Sequence, residues 1–594
     1  MIKITASLVI TVLCLLQSAA SAQPLPSGRF SKENLSPAAL ESLFMQAIAI
    51  LPAEKVPPEY RIKGEEPFLP RCGTIVLQQV RNHFDEFDGD RQAVLQTLFA
   101  RPTLPLHVVS ASGRFRFHYA DSGLDAVPLE DLDGNGRPDY IDAVEAAFEK
   151  SYAFEIDQLG YLEPPADNGV DGPEYDVYIH NLSAVYGLTT TDGPVSETQQ
   201  NDRITYIEID NDYAEGFFTS GVPGAQVTAA HEYFHAIQFS YRTIMNSNEI
   251  YYYELCSIWM EDIVYDEIND YLQYQRFFFN RPDISFNRFD PFSHYLGESL
   301  WNHFLVKKTN KLDIMSRTWE IMLSNVVAID AVKQALFENN IRLTDAFAEY
   351  SIWNYFTGSR ADTVRFYEES NLYNREIRLA GDFTVTSDTT ISDSSLALTA
   401  QYYRFTAFES GDFLIGGSVD NPDFWKFGVI TTPPGGSSSF EIFDPEDGVR
   451  LPLLPQFTEI VIVPINVRVL DGPDLNLLTR SYSRFTFNLI RVPSEGTDVK
   501  GITSIYPIPF IIPKHARLRV EFLPSNTSDL EVQVLTSDGR VIRTDKLGST
   551  ALTPTSFQWD GTDANKERVP SGIYIVLLKQ DNFTQIKKIA IIRE

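Results

Sequence analysis

The sequence comprises 594 residues, too many for a single hydrophobic core, so we expect several domains. Hydrophobic residues make up 43% of it and charged residues 22%, proportions that are typical of folded proteins and exclude a mainly disordered chain. The formal net charge of −31 argues against nucleic acid and anionic membranes as partners.

Residues 1–22 have the pattern of a secretory signal peptide. Lys3 supplies a basic start, residues 8–16 form an apolar core, and Ala20-Ser21-Ala22 offers a cleavage site before Gln23. The apolar run is shorter than a bilayer span requires. We therefore predict a secreted or cell-surface protein without a transmembrane segment after signal removal; an uncleaved anchor is the alternative.

Residues 23–105 form a predicted leading segment. Two helical stretches, at about 37–51 and 75–99, flank a region punctuated by prolines. In an exported chain this arrangement indicates a propeptide, and an ordinary N-terminal subdomain is the alternative.

Residues 131–142 follow the spacing of a calcium-binding loop. Gly136 stands at the sharp turn, and a helix is predicted from about residue 143. Asp142 replaces the usual glutamate at the last position. The predicted calcium ligands are the side chains of Asp131, Asp133, Asn135, Asp139 and Asp142 and the carbonyl of Arg137.

Between residues 106 and 375 the patterning predicts strands first and helices afterwards. Alternating apolar residues indicate strands at 115–119, 175–179 and 204–209, and helical periodicity follows at about 223–241, 249–268 and 295–308. This order is typical of an α+β domain, which we assign as catalytic.

An H-E-x-x-H motif, His231-Glu232-Tyr233-Phe234-His235, lies within the first of these helices. Residues four apart share one helical face, so both imidazoles can bind one metal ion. Glu232 lies beside them, where it can take a proton from a metal-activated water. This set of residues predicts a zinc hydrolase that cleaves peptide bonds.

A tetrahedral zinc ion needs a third protein ligand and one open position. Gln238 and Tyr241 stand where H-E-x-x-H-x-x-G-x-x-H peptidases have glycine and histidine, which excludes that class. Glu254 follows His235 after eighteen intervening residues, and this H-E-x-x-H-x18-E spacing resembles the gluzincin peptidases. The resemblance implies that Glu254 is the third zinc ligand, and Glu261, two turns further on, is placed to orient a ligating histidine.

The segment His294-Tyr295-Leu296-Gly297 resembles the Tyr-x-x-Gly segment of gluzincin aminopeptidases, which implies that Tyr295 stabilises the oxyanion. His294 and His303 are alternatives for that role. The Gly-x-Met-Glu-Asn segment of those exopeptidases is absent from the sequence, which favours an endopeptidase. The strand at 204–209 is a possible edge for pairing with an extended substrate.

Cys72 has three possible states. Pro70-Arg71-Cys72-Gly73 resembles the cysteine-switch segment of matrix metalloproteinase propeptides, in which a thiolate fills the open position of the zinc. The alternatives are a disulfide with Cys256, which export permits, and two inert thiols.

Two all-β modules, sandwich or Ig-like, are predicted at 376–495 and 498–594. The last resembles the Ig-like modules of the flagellar hook cap and the sorting domains of type nine secretion. The shared segments are Tyr506-Pro507-Ile508-Pro509-Phe510, Trp559-Asp560-Gly561 and the final strands from residue 569. The resemblance implies delivery by an outer-membrane secretion machinery.

Residues 70–310 resemble a family of exported bacterial zinc metalloproteases. The shared segments are Arg-Cys-Gly, Asn-Gly-x-Pro-Asp-Tyr, the H-E-x-x-H helix and Trp-Met-Glu-Asp. We therefore predict a gluzincin-like endopeptidase that uses Zn²⁺ and Ca²⁺ and acts on proteins or peptides. The alternatives are an inactive surface adhesion or glycan-binding protein and a gluzincin aminopeptidase.

Overall fold

The structure is a computed structural model, and it shows a multidomain α+β protein whose C-terminal third is built of β-sheets. The residues that it describes are 35–51, 56–61, 72–167, 169–182, 185–195, 202–214, 217–244, 249–288, 294–385, 388–406, 412–445, 448–451, 458–469, 482–492, 501–524, 528–537, 539–548, 555–581 and 583–593. The predicted signal peptide lies outside these ranges.

The leading segment contains three helices, α1 (Pro37–Ile50), α2 (Thr74–His83) and α3 (Gly89–Leu95), with 3-10 turns at Phe84–Glu86 and Gln96–Phe99. Ser36 caps α1 by accepting a hydrogen bond from the main-chain nitrogen of Ala39 (3.2 Å). The apolar faces of the helices enclose a small core, which Leu182, Val185 and Leu188 of the following domain complete. The leading segment is therefore packed against the next domain.

A mixed five-stranded sheet opens the following domain, in the order β1-β2-β3-β5-β4. Its strands are β1 (Leu106–Val109), β2 (Phe115–Tyr119), β3 (Tyr175–Ile179), β4 (Gly187–Pro194) and β5 (Arg203–Ile209). The prediction of a free edge at 204–209 is wrong, because β5 lies between β3 and β4. The edge strand on this side of the sheet is β4, whose Thr- and Gly-rich sequence lacks the apolar alternation that marks a strand.

The helices of this domain are α4 (Asp139–Tyr152), α5 (Val222–Tyr241), α6 (Ile250–Val264), α7 (Gln275–Asn280), α8 (Leu300–Thr309), α9 (Asp313–Met322), α10 (Ala328–Glu338) and α11 (Leu343–Trp353). A π-helical turn, Ala153–Gln158, extends α4, and 3-10 turns occupy Asp270–Gln273, His294–Ser299 and Gly358–Arg360. Helix α5 is buried on all sides from Val227 onward, since it packs against α4, α6, β4 and β5. Side chains on α5 thus sit at the centre of the main core.

The middle module is a β-sandwich around its own aromatic core. Its strands are β6 (Gly381–Thr384), β7 (Thr389–Ser395), β8 (Thr399–Ala400), β9 (Tyr403–Thr406), β10 (Asp412–Val419), β11 (Trp425–Thr432), β12 (Ser439–Phe443), β13 (Val449–Leu451), β14 (Glu459–Asn466) and β15 (Ser483–Val492), with a 3-10 turn at Pro422–Phe424. One sheet has the order β13-β10-β15-β7; the other has the order β12-β11-β14-β9-β6, and β8 also pairs with β14.

The last module has its own core between two sheets, β16-β18-β21 and β17-β23-β22-β19-β20. Its strands are β16 (Gly501–Tyr506), β17 (Phe510–Ile512), β18 (Leu518–Leu523), β19 (Leu530–Thr536), β20 (Val541–Leu547), β21 (Thr555–Trp559), β22 (Gly572–Gln580) and β23 (Phe583–Arg593). Strands β19 and β20 pair antiparallel. Within the described part of the chain, no helix has the length and apolar character needed to cross a membrane.

Candidate metal centre

Helices α5 and α6 bring the predicted zinc ligands together in a buried cluster. The Nε2 atoms of His231 and His235 are 3.1 Å apart, and the Glu254 carboxylate approaches them, with Oε1 3.3 Å from His235 Nε2 and Oε2 4.0 Å from His231 Nε2. All three side chains are almost inaccessible to solvent. His231 and His235, four residues apart on α5, and Glu254, eighteen intervening residues later on α6, thus form one cluster.

The other ring nitrogen of each histidine is fixed by an acceptor. His231 Nδ1 donates to Glu261 Oε1 (2.6 Å), and His235 Nδ1 donates to Gln238 Oε1 (2.8 Å). The Gln238 amide is oriented by its own Nε2, which donates to the carbonyl of Tyr253 and to Ser257 Oγ. When both rings are neutral and carry their proton on Nδ1, their Nε2 lone pairs face one another, an arrangement that a cation between them stabilises.

The electrostatics of the cluster also favour a bound cation. Burial and the neighbouring His235 lower the pKa of His231. Burial opposes charging of His235 as well, but the Glu254 and Glu232 carboxylates outweigh it and raise the pKa of His235. Glu254 Oε1 is buried and accepts no hydrogen bond of good geometry. Two imidazoles whose Nε2 atoms converge and a buried carboxylate with an unsatisfied oxygen fit a tetrahedral zinc ion with one further position.

Glu232 lies beside this cluster and is held by two threonine hydroxyls. Its Oε2 accepts from Thr189 Oγ1 of β4 (2.8 Å) and from Thr74 Oγ1 at the start of α2 (2.8 Å). The Thr74 hydroxyl in turn accepts from the main-chain nitrogen of Thr189 (2.7 Å). The carboxylate is therefore positioned from two separate parts of the chain.

Cys72 reaches the same cluster from the leading segment. Its Sγ, the two histidine Nε2 atoms and a Glu254 carboxylate oxygen all lie within 4.8 Å of one another. The predicted alternative of a Cys72–Cys256 disulfide is wrong, because both cysteines are free and buried. Cys256 faces Asn302, whose Nδ2 lies 3.5 Å from its Sγ. Pro70 and Arg71 of the cysteine-switch resemblance lie outside the described residues.

A small cavity opens beside these groups. Asp270, Tyr274 and Leu296 contribute to its walls, together with Tyr186 and the side chains just described. Tyr295, although adjacent to Leu296, is absent from the described lining and is itself almost fully buried. The structure thus does not bring the predicted oxyanion donor to the cavity.

The two alternative donors, His294 and His303, are also absent from that lining. Burial lowers the pKa of His294 to about 3 and that of His303 to about 4. His303 Nε2 lies 3.7 Å from Asp262 Oδ2, but burial also raises the pKa of Asp262 to about 9. Because burial favours the neutral form of both groups, this contact is not an ion pair at neutral pH.

The loop at 131–142 brings three of its six predicted calcium ligands together. Oxygens of Asp131, Asp133 and Asp139 lie within 4.8 Å of one another. Asp142 instead pairs with the guanidinium of Arg137 and accepts from Asn135 Nδ2 (2.9 Å). The Asp142 carboxylate, at the last loop position, is thus paired with the Arg137 side chain.

Four polar residues around the centre were not predicted. Gln238 and Ser257 lie three residues after His235 and Glu254 on the same helices, so helical spacing could have identified them. Thr74 and Thr189 meet Glu232 only through the tertiary fold. No local pattern in the sequence marks these two threonines.

The comparisons identify one module. Residues 513–582 match the FlgD Ig-like domain model, so the C-terminal module is an Ig-like domain of that kind. A search of curated proteins found no match.

Several solved structures are similar to part of the chain. PorZ of Porphyromonas gingivalis, described as a surface component of the type-IX secretion system, is 19% identical over 18% of this chain and 14% of its own, with a TM-score of 0.14. FlgD from P. aeruginosa is 22% identical over 16% of this chain and 76% of its own, with a TM-score of 0.12. FlgD from Xanthomonas campestris is 11% identical over 30% of this chain and 67% of its own, with a TM-score of 0.10. The chain therefore spans about a seventh of PorZ.

Proposed function

We propose that the protein is a secreted, zinc-dependent endopeptidase. The observation that carries the proposal is the buried meeting of His231, His235 and Glu254, with both histidine Nδ1 atoms already bonded and Glu232 alongside. An imidazole pair with converging lone pairs is costly to bury without a cation. A general base held next to such a pair supports hydrolysis rather than structural metal binding.

Glu232 performs the proton transfers in this proposal. It takes a proton from the water that attacks the peptide carbonyl and delivers a proton to the leaving amine, so that one water and one peptide bond become a carboxylic acid and an amine. Thr189 holds the carboxylate in place during both transfers. Zinc, when bound by the three ligands, would supply Lewis-acid polarisation of the carbonyl and acidify the water. Tyr295 receives no role here, since it does not line the cavity.

Hydrolysis of casein by the zinc-loaded exported chain tests the proposal. The chain is assayed intact and after limited proteolysis that cuts ahead of β1, and Glu232→Gln is treated identically. We expect casein fragments from the wild-type chain in at least one state and none from Glu232→Gln, with equal zinc content in both proteins. A zinc-containing wild-type protein that is inactive in both states would contradict the proposal and favour the adhesion alternative.

Mass spectrometry of peptides released from a denatured protein mixture would locate the cuts. An endopeptidase yields internal cleavages, whereas an aminopeptidase releases free amino acids from chain ends. The cavity itself is acidic. The carboxylates of Glu232, Glu254, Glu261 and Asp270 line it, and its described lining residues include no lysine or arginine.

The C-terminal Ig-like domain supports a second, separable proposal, that it directs secretion across an outer membrane. The support is the FlgD-like match at 513–582 and the terminal segments that resemble sorting domains. Residues 498–594 fused to a periplasmic reporter should send the reporter to the cell surface or medium of a host with type nine secretion. A reporter that stays in the periplasm would show that the domain only spaces the enzyme.

We also propose calcium binding by Asp131, Asp133 and Asp139, whose oxygens converge ahead of α4. Arg137 competes for Asp142, so these three carboxylates and loop carbonyls would provide the ligands. The proposed role is to stabilise the loop that leads into α4.

A further inference from the structure

We propose that in the full-length chain Cys72 is the fourth protein ligand of the metal, so that the leading segment closes the site. This inference concerns regulation of the same site and rests on the metal binding proposed above. It changes the expected centre from three protein ligands with an open position to a closed set of His231, His235, Glu254 and Cys72.

The Cys72 thiol lies close enough to the other three ligand atoms to share one metal ion with them. A tetrahedral zinc ion with bonds of about 2.0–2.3 Å separates its ligand atoms by about 3.3–3.8 Å. The two Nε2 atoms, the Glu254 oxygen and Cys72 Sγ all fall within 4.8 Å of one another. The four atoms therefore need to move by less than about 1.5 Å to surround one ion.

The backbone, and not only a side-chain rotamer, places the thiol there. Cys72 forms a parallel bridge with Gly187 at the start of the edge strand β4, and the main-chain nitrogen of Gly73 donates to the Gly187 carbonyl (2.9 Å). Gly187 in turn lets this end of β4 lie close to α5, because an added Cβ would lie 2.7 Å from Thr228 Cγ2 and 2.8 Å from Glu232 Cγ. The segment is thus pinned between the sheet edge and α5.

A second contact of the same segment reaches the general base. Thr74, two residues after Cys72, donates its hydroxyl to Glu232 Oε2. The thiol faces the position that a metal leaves open for reaction, and the hydroxyl occupies an oxygen of the carboxylate that must accept a proton. Cys72 and Thr74 together therefore cover both groups that the proposed hydrolysis requires.

Ligation is a balanced exchange without a redox step. The Sγ–H bond of Cys72 breaks, its proton passes to solvent, and the sulfur electron pair forms a bond to the metal ion. Opening reverses this exchange, with a proton returning to sulfur and water taking the released position.

Cobalt(II) substitution of the full-length chain tests the ligand set directly, because a thiolate bound to cobalt(II) gives a charge-transfer absorption that nitrogen and oxygen ligands do not. Three proteins are compared: wild type, Cys72→Ser and the matched control Cys256→Ser, which removes the other buried thiol. We expect one equivalent of cobalt in each. The thiolate band should be present in wild type and Cys256→Ser and absent in Cys72→Ser.

The outcomes separate this inference from the proposed function. Wild-type protein that binds cobalt without a thiolate band, or Cys72→Ser that keeps the band, would overturn the inference alone. Failure of the wild type to bind cobalt would overturn both proposals. A thiolate band confined to Cys72-containing proteins, with no casein hydrolysis after limited proteolysis, would support the ligand set and contradict the endopeptidase. Far-ultraviolet circular dichroism of each variant establishes that it is folded.

Discussion

Replacing Glu261 by glutamine tests how much the outer partner of His231 contributes to metal binding. Glu261 lies on α6 with 4% of its surface exposed, and its Oε1 accepts from His231 Nδ1 at 2.6 Å. Glutamine keeps an acceptor oxygen of the same shape and removes only the charge. The variant therefore isolates the charge-assisted part of this hydrogen bond.

The expected loss follows from the strength of that bond. Hydrogen bonds to a charged group contribute about 1.5–3 kcal/mol and neutral ones about 0.5–1.5 kcal/mol, so the difference is about 1–1.5 kcal/mol. At about 1.4 kcal/mol for each factor of ten, the variant should bind zinc about 5- to 15-fold more weakly. This lies near the lower end of the roughly 10- to 100-fold loss seen when such outer partners of metal ligands are mutated.

Competition with a chromophoric zinc chelator at fixed pH measures the change. The matched control is Asp262→Asn, one residue further along α6. Burial raises the pKa of Asp262 to about 9, so asparagine resembles the protonated acid that is present at neutral pH. Unchanged zinc affinity in Glu261→Gln, or an equal loss in Asp262→Asn, would refute the role assigned to the Glu261 charge.

Three further predictions address the base, the loop and the buried histidines. Thr189→Val removes a hydrogen-bond donor to the Glu232 carboxylate. The loss of about 1–1.5 kcal/mol should lower kcat/KM for casein about 5- to 15-fold. The control is Thr190→Val, which removes a hydroxyl that faces Glu208 instead and should leave kcat/KM near the wild-type value. Calcium should raise the unfolding temperature of the wild type and of Asp121→Asn, an exposed acid outside the cluster, but not of Asp131→Asn; equal calcium responses in all three would contradict the site. Burial lowers the pKa of His303 from 6.5 to about 4, so the unfolded chain takes up a proton before the folded one, and stability that is complete above pH 6.5 falls by about 3 kcal/mol as the pH drops to 4. Denaturant titrations of metal-free protein should show a smaller acid loss in His303→Asn than in wild type or in exposed His107→Asn, and parallel losses in all three would disprove this source of acid sensitivity.

The sequence predicted the parts of the centre that depend on helical spacing. His231, His235, Glu254 and Glu261 meet as expected, because residues four apart on a buried helix and a carboxylate on the next helix have few ways to pack. The role of Tyr295 was predicted from a four-residue resemblance alone, and its side chain is instead buried in the core.

The order of strands in the sheet could not be predicted from local sequence patterns, for a different reason. Alternation identified β5 as a strand, but only long-range pairing shows that β4 covers its free side. Strand β4 itself has polar threonines at buried positions, and these acquire partners such as Glu232 only after α5 docks. Residues whose environment is created by tertiary contact leave no periodic signal along the chain.

The two interpretations of the leading segment, propeptide and subdomain, are compatible in this fold. Helices α1 to α3 share a core with Leu188 of β4, so the segment is held by apolar burial that does not depend on a metal. Cys72 and Thr74 are separated by one residue, whose main-chain nitrogen donates to the Gly187 carbonyl. Removal of the segment from Gly187 would therefore take both side chains away from the centre, whereas loss of the metal alone would leave the apolar attachment intact. A segment that packs as a subdomain and contacts both the proposed ligand set and the proposed base would couple access to these two groups, because one attachment places both contacts.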